Sequence, residues 1–160
     1  TVRDMGVACQ PVRVAISRRL DLPLMSQLAR TAREVPVWVA YGADADPALI
    51  EAWQGLGARL LPCALMGRQL DMGSVLQALG EAGLTRVFCE GGGALAASLL
   101  SADLVDRLVG FTAGLSIGAE GLPGIGALGI SRLDEAARFE LTELRPVGGD
   151  ALHIWRRARS

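Results

Sequence analysis

Four apolar runs in the first 90 residues lack the polar alternation of a half-exposed strand, and single helical stretches separate them. They are VRVAI at 12–16, VPVWVAY at 35–41, ARLLPC at 58–63 and TRVFCE at 85–90. A strand that is apolar on both sides needs cover on both faces, and a helix between successive strands supplies the crossover of a parallel pair. The pattern predicts an α/β fold on a mostly parallel sheet. Between the runs, LMSQLARTA at 24–32 follows Pro23 as a short helical stretch. Asp46 caps the helix that Pro47 opens and ALIEAWQGL continues. Asp71 or Ser74 starts VLQALGEAG, with Leu76 and Leu79 on one helical face and Gly83 at its end.

The last third departs from this pattern. RLVGFTAGL at 107–115 reads as a further strand and 116–129 as glycine-rich loop, while FELTELRPV and ALHIWRR flank GGD as a hairpin. An antiparallel edge is thereby added to the parallel sheet. A chain of 160 residues, 51% of them apolar, suits one domain with a substantial core, taken as 1–160. The 16 Lys and Arg are scattered among 17 Asp and Glu, and the formal charge is −1. That is not the basic field that nucleic acid or an anionic membrane demands. No apolar stretch reaches the roughly 18 residues of a membrane span. Cys9, Cys63 and Cys89 are odd in number and far apart, so they give neither a disulfide framework nor a metal set, and a reducing cytoplasm fits best.

At 87–100, VFCEGGGALAASLL passes from an apolar run through Glu90 and three glycines into a helix-forming stretch. Open α/β sheets bind ligands at the carboxyl ends of their strands. Gly91, Gly92 and Gly93 let a ligand reach the main chain without meeting a Cβ, and the helix that follows offers free N–H groups to a phosphate. One helix terminus contributes roughly 0.3–1 kcal/mol toward an anion, while tenfold in affinity takes about 1.4 kcal/mol. Further contacts, at least one Arg among them, are therefore required. The competing reading is a tight turn in which Glu90 only caps the helix.

Other features receive structural readings. GIGALG at 124–129 matches G-x-G-x-x-G, but it follows a loop and precedes only the short charged stretch SRLDEAARFE, so it is not read as a nucleotide loop. His153, the only histidine, is placed at a surface or an edge, Cys89 in the core, and Asp106 in a structural cap or pair. Trp38, Trp53 and Trp155 are too dispersed to form a stacking platform for bases.

These residues together resemble a known family. GLTRVFCEGGGALAASLLSADLVDRL is similar to the segment of the riboflavin-biosynthesis reductase domain that reads as a strand, V-E-G-G, a helix and L-V-D-E-L. PVRVAI resembles that family's P-V-R-V-V-L-D strand, and PVGGDALHI its closing G-x-D-hydrophobic hairpin. The resemblance implies a dihydrofolate-reductase-like, three-layer fold, mostly parallel with antiparallel carboxyl-terminal strands. It also implies NADPH-dependent reduction of 5-amino-6-(5-phosphoribosylamino)uracil to the ribitylamino product, in a cytoplasmic homodimer. By the same resemblance Glu90 matches the substrate-contacting glutamate, and Arg3 matches the L-T-V-R arginine that binds the substrate phosphate. Gly92, Gly93, Ala94, Leu95, Ala96, Ala97 and Ser98 match the stretch that holds the NADP phosphates. No general acid is assigned and no metal is implied for this domain.

Arg18 and Arg19 follow the first strand where the family has a serine contacting NADP. Arg18 there would pair with the 2′-phosphate, and the alternative is a solvated surface pair. Ser17 replaces the aspartate that usually ends the family's strand, and Gly114 and Leu115 stand where the family has Pro and Lys. The family's first strand and helix, and the upstream deaminase domain with its zinc site, have no counterpart before Thr1. The sequence is therefore expected to be a piece of a longer chain, and a second function stays open: a non-catalytic domain for phospho-ligand binding or oligomerisation. A generic Rossmann dehydrogenase ranks last, because AISRRLDLP contains no glycine after the first strand.

Overall fold

Three of the four apolar runs become strands of one sheet in a computed structural model that describes Val2 and residues 5–158. Strands β1 (Arg13–Ile16), β2 (Val37–Gly42) and β3 (Arg59–Cys63) pair in parallel in the order β1-β2-β3. Ala15 lies opposite Val39, and Ala40 opposite Leu61. These strands belong to the first of two compact units, which ends at Val87; the second begins at Phe88.

The crossovers form where the sequence supplies caps. Helix α1 (Gln27–Arg30) is a single turn begun by Ser26, shorter than the 24–32 stretch suggested. Its carboxyl end is closed off by Arg13, whose guanidinium donates to the carbonyls of Thr31 at 2.9 Å and Val35 at 2.5 Å. Helix α2 (Pro47–Gly55) starts as expected, with the Asp46 carboxylate accepting from the Ala48 N–H at 2.9 Å. Helix α3 (Met72–Glu81) is capped by Asp71, not by Ser74, whose hydroxyl accepts from the Ala64 N–H at 2.9 Å. Its buried stripe is Met72, Val75 and Leu79, and Leu76 is only half-buried. Leu20, Val37, Val39 and Trp53 form the centre of this unit's core. Fully burying one such side chain stabilises the fold by roughly 1.5–3 kcal/mol. A two-residue ladder that the sequence reading did not foresee, β4 (Leu65–Met66) with β5 (Gln69–Leu70), turns through Gly67 and Arg68.

In the second unit, α4 (Gly93–Ser101) precedes β6 (Arg107–Thr112), β7 (Phe139–Val147) and β8 (Asp150–Arg157), which pair antiparallel in the order β6-β8-β7. The GGD hairpin is present: Val147 faces Asp150 across a two-residue loop, and Gly148 takes φ +61°, where a side chain is disfavoured. The strand bearing His153 is thus the middle strand, which corrects the edge assignment. SRLDEAARFE yields a single 3-10 turn, Leu133–Glu135, and its last two residues open β7.

The fourth expected strand is absent. Residues 84–92 carry no ladder among the described residues, Phe88 is 77% exposed, and Cys89 is exposed where a core thiol was expected. Apolar and β-branched content makes a strand only where a neighbouring strand takes its N–H and C=O groups, and this segment has none here. Among the described residues, no helix is long and apolar enough to cross a membrane.

Candidate functional site

Candidate residues occur in both units, and each set is described within its own unit. In the second unit, Glu90 is exposed just before the glycines. Gly92 is the N-cap of α4 and provides no side-chain cap. Its carbonyl accepts from the N–H groups of Leu95 at 3.0 Å and Ala96 at 3.2 Å. The N–H groups of Gly93 and Ala94 are left outside the helical ladder, as the first N–H groups of a helix are. This is an anion-seeking end of a nine-residue helix.

The three glycines turn out to do different things. A Cβ on Gly91 would lie 2.6 Å from Cδ2 of Leu95, so this glycine serves packing. A Cβ on Gly93 would lie 2.6 Å from the Pro123 carbonyl oxygen and 3.1 Å from the Gly126 nitrogen. The Gly126 N–H donates to the Gly93 carbonyl at 2.8 Å. The glycine-rich loop that holds GIGALG is thus seated on the start of α4, a role that the sequence reading did not find. Only at Gly92 is the space open, with no heavy atom within 4 Å of a Cβ. The helix start therefore fits a phosphate-bearing cofactor over Gly92 and not over Gly93. Further along, Ala97 is buried and the Ser98 hydroxyl donates to the Ala94 carbonyl at 3.0 Å, so the stretch from Gly92 to Ser98 presents a ligand only its first turn.

A cleft of about 630 Å³ also lies in this unit, lined by Thr112 at the end of β6, by Ala113 and Gly114 after it and by residues about the β7–β8 turn. Beside it, the Trp155 indole N–H donates to Nδ1 of His153 at 2.9 Å, and Nε2 of His153 is 3.1 Å from the Thr112 hydroxyl. Because Nδ1 accepts, the neutral imidazole carries its proton on Nε2. His153 is a structural link between β6 and β8.

In the first unit, the carboxyl ends of β1 and β2 and the β4–β5 turn meet. The Arg18 carbonyl accepts from the Gly42 N–H at 2.8 Å. The Arg18 guanidinium grips Asp44 through two bonds, 3.1 Å to Oδ1 and 2.5 Å to Oδ2. Its other terminal nitrogen donates to the Arg68 carbonyl at 2.7 Å. The Asp44 carboxyl is held below its ordinary range, first by its hydrogen bond to Arg18 and then by that cation's field, while the Arg18 guanidinium is pushed up by the same bond. Arg18 is thus held by Asp44 and by the β4–β5 turn. The Ser17 hydroxyl donates to Asp21 at 2.5 Å. Ile16, Ser17, Arg18, Arg19, Asp21, Leu22 and Arg68 line a cleft of about 430 Å³. Arg3, the expected contact for the substrate phosphate, lies outside the described residues. Sequence reasoning missed Asp44 and Arg68, because both meet Arg18 only through the fold.

Comparison with known proteins defines the class. A pyrimidine reductase-like protein from Corynebacterium diphtheriae superposes with a TM-score of 0.73 at 19% identity, covering 94% of this chain and 62% of that one. RibD from Acinetobacter baumannii superposes with a TM-score of 0.75 at 21% identity, covering 99% of this chain and 41% of that one. The fold is the dihydrofolate-reductase-like α/β fold of these structures. The sequence model described as the RibD C-terminal domain matches residues 1–153, and the chain belongs to that family.

Riboflavin biosynthesis protein RibD of Actinobacillus pleuropneumoniae is 33% identical over 149 residues, 92% of this chain and 39% of that protein. That of Aquifex aeolicus is 30% identical over 157 residues, 98% of this chain and 42% of that protein. The chain thus spans about two fifths of the curated relatives it matches.

Proposed function

We propose that this chain is the reductase domain of a riboflavin-biosynthesis deaminase-reductase. In this reading it reduces the ribosyl group of 5-amino-6-(5-phosphoribosylamino)uracil to ribityl, with NADPH as the reductant. The observation that carries the reading is the family match across residues 1–153, which includes Glu90 and the glycine-capped start of α4. When bound, the nicotinamide supplies a hydride for C1′ of the opened sugar.

The chain's own residues supply placement and electrostatics. The N–H groups of Gly93 and Ala94 face a cofactor phosphate that approaches over the open side of Gly92. Glu90 orients the aminopyrimidine or the sugar hydroxyls, and Arg3 takes the substrate phosphate. Arg18 belongs to cofactor binding in the same reading. An upstream deaminase domain, a homodimer and a cytoplasmic setting belong to the same proposal.

The test is turnover. NADPH oxidation that depends on the ribosylamino substrate, with the ribitylamino product identified by mass, supports the reading. Saturable binding of phosphorylated ligands without turnover, under conditions where a full-length relative turns over, would assign the chain to the non-catalytic class instead.

A further inference from the structure

The cleft of about 630 Å³ between the end of β6 and the β7–β8 turn stands at the end of a hydrogen-bond chain whose direction is fixed. An indole N–H only donates, so Trp155 donates to Nδ1 of His153 at 2.9 Å, and the proton of the neutral imidazole sits on Nε2. Nε2 faces the Thr112 hydroxyl oxygen at 3.1 Å. Thr112 therefore accepts from His153 and keeps its own hydroxyl proton for another partner. We infer that this cleft binds a small planar ring bearing an amide, with the Thr112 hydroxyl donating to the amide carbonyl and the Asp150 carboxylate accepting from the amide N–H.

The rest of the lining selects a neutral and mostly apolar ligand. Arg145 donates through Nε to Glu143 at 2.6 Å, so its charge is matched within β7. Asp150 has no ion-pair partner among the described residues, which leaves its carboxylate to an N–H. Leu144 and Pro146 add apolar wall, and Leu144 is 64% exposed, so a ring laid against it takes apolar surface out of water. The space beside them is open. A Cβ on Gly149 would meet no heavy atom within 4 Å, and one on Gly114 only the Gly149 carbonyl oxygen, at 4.0 Å.

An apolar cleft with a few convergent polar groups is the usual form of a small-molecule site. An amide presents its acceptor and its donor side by side, as Thr112 and Asp150 require. A carboxylate lacks the N–H and is repelled by Asp150, while an ammonium gives Thr112 no acceptor. No residue of the stretch 90–98 lines the cleft, and the inference does not rest on the reductase reading.

The test is a magnetic-resonance titration of the whole chain with benzamide, uracil, benzoate and benzylamine, read at the His153 ring nitrogens and the Trp155 indole. His153 is the only histidine, so its ring signals need no further assignment. Benzamide carries its amide outside the ring and uracil within it. At least one of the two should bind saturably, with a dissociation constant on the order of millimolar, as suits so small a molecule. Its bond to Thr112 should shift both signals, because linked hydrogen bonds polarise one another. Benzoate and benzylamine should bind about tenfold more weakly or not at all.

Thr112→Val and Asp150→Ala should each weaken the amide about threefold to tenfold. Thr112→Ser keeps the hydroxyl and should bind like the parent, which separates the lost donor from a lost shape. Gly114→Val should fill the cleft and abolish binding, with the fold of every variant checked by circular dichroism. Tighter uracil would mark a ring lactam as the ligand group, and tighter benzamide a carboxamide. Benzoate binding best would make Arg145 the anchor and overturn the inference. Binding that Thr112→Val and Asp150→Ala leave unchanged, or no shift with either amide at about 50 mM, would overturn it as well.

Discussion

The N–H of Gly126 donates to the carbonyl of Gly93 at 2.8 Å, which pins the glycine-rich loop to the first residue of α4. Residues 91–93 therefore serve two masters: Gly91 and Gly93 satisfy the chain's own packing, and Gly92 alone leaves the helix start open. Gly93→Ala should lower stability by about 1–3 kcal/mol, because the new Cβ meets backbone that has no rotamer with which to move away. Gly92→Ala should cost under about 1 kcal/mol, the loss of a preferred cap residue. Thermal melts of the two variants check this, and equal losses would contradict the assignment.

Gly110 lies under the His153 ring, and a Cβ there would be 2.1 Å from its Cε1. The ring cannot yield without losing its bonds to both Thr112 and Trp155. Gly110→Ala should therefore destabilise the β6-β8-β7 sheet by about 1–3 kcal/mol. The change should register in denaturant melts and in the indole signal of Trp155. A nitrogen-15 spectrum of the parent should show His153 protonated on Nε2.

The three thiols should differ in reactivity. Burial pushes the Cys63 thiol up from its ordinary range, and its Sγ faces the Leu61 carbonyl at 3.4 Å. Cys9 and Cys89 are exposed. Alkylation at neutral pH, followed by peptide mapping, should label Cys9 and Cys89 before unfolding and Cys63 only on unfolding. Protection of Cys89 would show that the 84–92 segment is covered in solution.

The bond between Arg18 and Asp44 sets a pH dependence with a definite sign. The folded Asp44 carboxyl titrates below its unfolded value, so its stabilising effect is complete above that value, about 3.9. It is lost as pH falls further, through the lower folded value. The stability difference between the parent and Asp44→Asn should therefore be constant near neutrality and shrink only in acid below the ordinary carboxylate range. A difference that shrinks between pH 5 and 7 would contradict this.

What the sequence revealed was local. Asp46 with Pro47, Asp71 as one of the two caps offered for α3, and the GGD hairpin with Gly148 each act within a few residues, and each is present in the fold. What it hid was long-range. Arg18 meets Asp44 across 26 positions and the Arg68 carbonyl across 50, and no spacing rule links them. The run at 85–90 has a strand's composition, but a strand also needs a partner, and composition does not supply one. Likewise, the G-x-G-x-x-G match was not read as a nucleotide loop, and only the fold shows that its Gly126 holds α4.

The most direct measurement is calorimetric titration of the whole chain with NADPH, run beside Gly92→Val. Saturable binding to the parent that collapses in Gly92→Val, with the fold of the variant confirmed by circular dichroism, is the result the account predicts. NADPH binding that is indifferent to Gly92, or no binding at all, would contradict it.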